Sequence, residues 1–110
     1  MQNLYAKKIY CVAQFLPKKG SEEKLFQTLR SLEECSRREP GCIKYVTTKR
    51  VSSPFAEGMC FPIAMHEVWA SIKFFEFHCT TQPIKNFFEN ECVSPNGSVE
   101  RWDISIFEGE

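Results

Sequence analysis

Residues 17–45 read PKKGSEEKLFQTLRSLEECSRREPGCIKY, and this stretch decides the fold. Pro17 to Gly20 ends whatever extended segment precedes it. Ser21 is a favoured helix N-cap residue, and Glu22 and Glu23 fall in the first turn, where the positive end of the helix dipole favours acidic groups. Leu25, Phe26, Leu29 and Leu32 then recur at helical spacing and define one buried stripe. Arg37 and Arg38 suit the C-terminal end, and Pro40-Gly41 stops the helix. From Cys42 the period changes to two. Ile43, Tyr45 and Thr47 alternate with Lys44, Val46 and Thr48, which predicts a strand over residues 42–51.

Working outward, residues 8–16 (KIYCVAQFL) are apolar and β-prone and read as a first strand. Residues 52–58 (SSPFAEG) are a loop by composition, long enough to act as a mobile lid over a pocket. Residues 61–70 predict a third strand, with Phe61, Ile63, Met65, Glu67 and Trp69 on one face and Ala64, His66 and Val68 on the other. Ser71 caps a short helix in which Phe74, Phe77 and His78 share a face, with Phe75 beside Cys79 on another. Pro83 suits the first turn of a further helix bearing Ile84, Phe87, Phe88 and Cys92, and Pro95-Asn96-Gly97 breaks it. Residues 98–107 form the last strand, with Trp102, Ile104 and Ile106 on one face.

The order β-α-β-β-α(α)-β is the ferredoxin-like pattern of the α+β class: a four-stranded antiparallel sheet with helices on one face, in a single domain over residues 1–110. The other face is expected to carry Tyr10, Val12, Ile43 or Val46, Val68 and Trp102. It is too apolar to face water, so a second copy packed sheet to sheet, a homodimer, is expected.

Fourteen basic and fourteen acidic residues cancel, and the basic pairs (Lys7-Lys8, Lys18-Lys19, Arg37-Arg38, Lys49-Arg50) are scattered. Nucleic acid is therefore not an expected partner. No apolar run approaches a membrane span. The six cysteines include no Cys-x-x-Cys, and no signal peptide is read at the start, so a cytoplasmic location with reduced thiols is expected. His66 and His78 lack the close ligand pairs that zinc needs, and no metal or cofactor is expected.

The turn Gly20-Ser21-Glu22-Glu23, the run Arg38-Glu39-Pro40-Gly41-Cys42-Ile43-Lys44-Tyr45, and His66-Glu67-Val68-Trp69-Ala70-Ser71 followed by His78 together resemble the antibiotic biosynthesis monooxygenase (ABM) domain family. The resemblance covers residues 9–107 and implies a protomer that pairs through its sheet into a dimeric α+β barrel, with a pocket between sheet and helices. Activities in that family include cofactor-free oxygenation of quinols and anthrone-like aromatics, haem degradation, and isomerisation of a small signalling molecule. Two positions depart from its patterns. Ala13 stands where haem-degrading members carry asparagine, and Ile84 follows Pro83 where quinol-oxidising members often place a second histidine.

Cofactor-free oxygenation needs a base, an orienting donor and a dry apolar pocket. The resemblance points to His78, Trp69 and Glu67 as the catalytic positions and to Ala13 as a pocket position, and Met65, Phe74, Phe77 and Phe87 would wall the substrate pocket. His78 or Glu67 would be the base, and Trp69 would stack on a flat substrate while facing His78 across the pocket. The plainer reading makes His78 a hydrogen-bonded histidine at the core edge, Glu67 a strand charge and Trp69 the largest core residue. His66 belongs to the other sheet face and reads as structural. The expected function is a cofactor-independent monooxygenase acting on a quinol or related electron-rich aromatic. The alternative is a non-catalytic or isomerase-type dimeric small-molecule-binding domain, with haem degradation third because of Ala13.

Overall fold

The structure, a computed structural model, describes residues 7–110, so the first six positions of the expected domain lie outside the described residues. Strand β1 (Lys8–Pro17) leads into helices α1 (Glu22–Arg30) and α2 (Glu33–Arg37). Strands β2 (Cys42–Lys49) and β3 (Ile63–Trp69) follow, then helices α3 (Ile72–Cys79) and α4 (Gln82–Phe87), a π-helical turn (Phe88–Val93), and strand β4 (Val99–Gly109). The sheet is antiparallel with order β2-β3-β1-β4, the ferredoxin-like α+β arrangement.

Alternation sorts the sheet residues. Ile9, Cys11, Ala13 and Phe15 of β1, Tyr45 of β2, and Ile63, Met65 and Trp69 of β3 are buried against Leu25, Leu29 and Phe87 of the helices. On the other face Tyr10 is exposed and Val12, Val46 and Val68 are half-buried; among the described residues no element covers them.

Two placements on β2 and β4 differ from expectation. The register steps between Cys42 and Lys44, so Ile43 has no partner and is 53% exposed rather than aligned with Tyr45. Trp102, Ile104 and Ile106 pair with Phe15, Ala13 and Cys11, which puts Trp102 on the helix side of the sheet and not on the bare face.

The expected first helix is divided. Hydroxyls of Thr28 and Ser31 bond the carbonyls of Lys24 and Thr28, and Leu32 N–H turns back to Leu29 O, tightening the chain at residues 31–32. α2 then docks separately on β2: buried Glu33 accepts the Thr47 N–H at 2.8 Å, with Arg37 3.5 Å away. Ser21 and Ser71 stand at the N-cap positions, but neither side chain makes a capping bond; their carbonyls accept from Leu25 and Phe75.

The loop expected as a lid forms no part of the cavity wall. The connection between Lys49 and Ile63 supplies no lining to the cavity described below. No helix among the described residues is long and apolar enough to cross a membrane.

Candidate active site

Three features bring the polar residues together. The Pro40-Gly41 turn ends on Ala70, whose N–H donates to Gly41 O at 2.8 Å, so Glu39 is held beside the end of β3. Gly41 has φ +78°, and a Cβ there would lie 2.2 Å from the Phe74 ring, so only glycine allows this approach. α3 starts immediately after β3 and returns over the sheet. It brings His78, 3% exposed, down onto Trp69 and Tyr45.

The His78 ring lies 4.6 Å from Trp69 and 5.3 Å from Tyr45, centroid to centroid. Its Nδ1 is 3.1 and 3.0 Å from the two carboxylate oxygens of Glu39. Its Nε2 is 3.9 Å from Glu67 Oε1, which accepts the Trp69 indole N–H at 2.9 Å. Glu39, His78, Glu67 and Trp69 thus form one polar cluster at the interface of α3 and the sheet, with a 3.9 Å gap between His78 and Glu67.

Beside this cluster is a cavity of about 50 Å³. Its walls are mostly apolar, from Ala13, Phe15, Met65, Ile84, Phe87 and Phe88, and its polar residues are Glu67, His78 and Tyr45. Burial is the main force on the Glu67 carboxyl. Together with the negative charge of Glu39 it outweighs the Trp69 hydrogen bond and pushes the pKa up to about 7. Burial pushes the His78 imidazole below its ordinary value, against the hydrogen bond and charge of Glu39. Burial also raises the Tyr45 phenol and the Cys11 thiol, and takes Cys79 up to about 11. At neutral pH the site therefore offers a neutral imidazole and a carboxyl poised between its two forms, a pair suited to moving a proton.

Of the residues assigned from the sequence, Glu67, His78, Met65, Phe87 and Ala13 line this cavity. Trp69 does not: it is fully buried, in contact with His78, with no pocket between the two rings. Phe74 and Phe77 do not line it either. At about 100° per residue, the inward side of α3 is centred on Phe75, His78 and Cys79; Phe74 falls at its edge and Phe77, 55% exposed, faces away. His78 belongs to both possible stripes, which is why the spacing alone favoured the wrong one.

Glu39, Tyr45, Phe75, Cys11 and Cys79 are the site residues that the sequence reading left without a role. Tyr45 was legible as a strand residue whose face the alternation left open, and Glu39 only as part of a motif. All six cysteines are free. Among the described residues no group of three or more His, Cys, Asp or Glu side chains is gathered to hold a metal ion.

Residues 8–90 match the family model for antibiotic biosynthesis monooxygenase. In structure the chain is similar to a protein from Shewanella oneidensis, 29% identical, with a TM-score of 0.77 over 97% of this chain and 95% of that one. A conserved protein from Methanosarcina mazei Go1 superposes with a TM-score of 0.75 at 20% identity, over 94% of both chains. A chain from Deinococcus radiodurans whose name refers to antibiotic biosynthesis monooxygenase gives 0.73 at 16% identity, over 94% of this chain and 92% of that one. Among curated proteins none matches in sequence. With the family model spanning most of the chain, and the sheet and helices arranged as that fold requires, the chain belongs to the antibiotic biosynthesis monooxygenase family.

Proposed function

We propose that the chain is a cofactor-independent monooxygenase acting on a quinol or a related electron-rich hydroxyarene. The observation that carries this reading is the placement of the Glu67 carboxyl on the wall of a mostly apolar cavity, 3.9 Å from the His78 Nε2, where burial pushes its pKa up to about 7. Glu67 takes the hydroxyl proton, and His78 is the neighbouring group to which that proton passes. The resulting aryloxide gives one electron to dioxygen. The two radicals join as a carbon-bound peroxide, which takes the proton back from the Glu67–His78 pair, and loss of water leaves a carbonyl. The ring gains one oxygen atom and loses two hydrogens, which leave with the other oxygen as water. The apolar walls keep bulk water from quenching the anion.

At about 50 Å³ the cavity holds a few water molecules rather than a bicyclic ring. Substrate entry therefore displaces part-exposed lining residues such as Phe75, Phe88 and Ile104. The working form is a homodimer, an α+β barrel made by two bare sheet faces, because those faces carry Tyr10, Val12, Val46 and Val68 without a cover. The proposed setting is the cytoplasm, where six unpaired thiols stay reduced.

An isomerase-type activity is the second reading. The Glu67–His78 pair favours it because proton transfer needs no oxygen. Oxygen consumption with a panel of reduced naphthoquinones and anthrones decides between them, with Glu67→Gln as control. Uptake that depends on Glu67 is expected. Anaerobic rearrangement of a substrate without uptake would replace the oxygenase reading.

A further inference from the structure

The proton path above uses Glu67 and His78 and leaves Glu39 unexplained. Glu39 precedes the Pro40-Gly41 turn, and its side chain is only 13% exposed. Both of its carboxylate oxygens lie within hydrogen-bond distance of one atom, His78 Nδ1. A carboxylate has acceptors and no donor, so in this pair the imidazole must be the donor. Among the described residues the other ring nitrogen, Nε2, has no hydrogen-bond partner; Glu67 Oε1 lies 3.9 Å from it, and that oxygen is already bonded to the Trp69 indole. Trp69 and Tyr45 pack on the ring and fix its plane. What they do not fix is which nitrogen carries the proton.

We propose that Glu39 is the positioning residue of this site: it holds the His78 proton on Nδ1 and thereby leaves the Nε2 lone pair open toward Glu67 and the cavity. The proposal rests on the reading of Glu67 and His78 as the acid–base pair and deepens it. A histidine protonated on Nε2 would present a donor to Glu67 and could not accept its proton. One protonated on Nδ1 can accept at Nε2, and the cation so formed lies against the Glu39 charge. This is the orienting role that a buried carboxylate plays wherever an imidazole must accept a proton at its far nitrogen. The titratable groups facing the imidazole are Glu39 from the turn before β2, Tyr45 on β2 and Glu67 on β3, with the Cys11 thiol of β1 on the same cavity.

The test is nitrogen-15 NMR of the whole chain labelled at histidine. There are two histidines, and the spectrum of a His66→Gln variant assigns the His78 signals by difference. The unsubstituted protein should show His78 protonated on Nδ1 with a bare Nε2. Glu39→Gln should keep that tautomer, because the carboxamide oxygen still accepts, but lower the imidazole titration midpoint by removing the negative charge. Glu39→Ala should release the proton to Nε2 and reduce kcat by roughly ten- to a hundredfold with KM little changed, while Glu39→Gln recovers much of the loss. A proton on Nε2 in the unsubstituted protein, or an unchanged Nδ1–H signal in Glu39→Ala, overturns the proposal. If the alanine variant does not fold, an unmoved midpoint in Glu39→Gln overturns it instead. The spectra need no substrate, so failure to find an oxidisable quinol would count against the functional reading and not against this one.

Discussion

Trp69 and Glu67 are bonded to each other: the indole N–H donates to Glu67 Oε1 at 2.9 Å, between two side chains two residues apart on the inward face of β3. The bond makes the tryptophan a modifier of the carboxyl rather than a platform for substrate. It stabilises the ionised form of Glu67 and so opposes the burial that raises its pKa.

Trp69→Phe should therefore raise the Glu67 pKa further. The pH midpoint of turnover is expected to move upward from about 7, with the substrate KM changing less than kcat at neutral pH. Stability should fall by about 2 kcal/mol, from the lost hydrogen bond and the smaller ring. A pH–rate profile and a urea unfolding curve read the two effects. A midpoint that stays in place or falls would show that the indole does not control the carboxyl.

Glu67→Gln is expected to abolish turnover and to stabilise the fold above neutrality. The folded pKa of Glu67 is raised, so its contribution to stability is fully present below the unfolded value of 4.5 and is lost as pH rises through about 7. The window of loss is thus pH 4.5 to 7. A shift of this size corresponds to about 3 kcal/mol. The glutamine can still accept from Trp69 and carries no charge to desolvate. Urea unfolding of both proteins at pH 5 and pH 8 should show the variant gaining on the parent as pH rises; parallel behaviour would refute it.

The physics behind these predictions was only partly visible in the sequence. Alternation along β3 separates Glu67 and Trp69 from His66 without ambiguity, because strand period is rigid and both ends of the segment are anchored. The helix was less legible. Phe74, Phe75, Phe77 and His78 allow two apolar stripes, and the choice is made by tertiary contact: Phe74 fills the space over Gly41, and that fixes the rotation of α3. The Glu39–His78 pair joins residues 39 apart in sequence and leaves no periodic trace. The bulge at Ile43 and the break at residues 31–32 depend on single hydrogen bonds and register steps that a pattern of apolar residues does not record.

Dimerisation should be tight and should depend on the bare sheet face. Val12 and Val68 pair with His66 and Tyr10 at the centre of that face, flanked by Val46. Val68→Lys is expected to leave the monomer folded and shift sedimentation from twice the chain mass to the chain mass at micromolar concentration, since two like charges would be buried against each other. A parent chain that sediments as a monomer would remove the dimer from the reading.

His78→Ala should cost more than activity. The side chain is almost fully buried between Trp69 and Tyr45, so its removal opens a void and leaves the mostly buried Glu39 carboxylate without its partner. Together these should lower stability by about 2–4 kcal/mol near neutral pH. The loss should shrink on acidification. The folded pKa of His78 lies below its unfolded value of 6.5, so the parent's contribution is present above pH 6.5 and is lost as pH falls through the folded value. Turnover should fall by roughly a hundredfold or more. The decisive readout is rescue. Free imidazole fits the void left by its own ring, with Glu39 still there to accept one N–H and direct the other nitrogen toward Glu67. Partial return of oxygen uptake with added imidazole is expected for a residue that moves a proton. Recovery of stability without recovery of turnover would assign His78 a packing role alone.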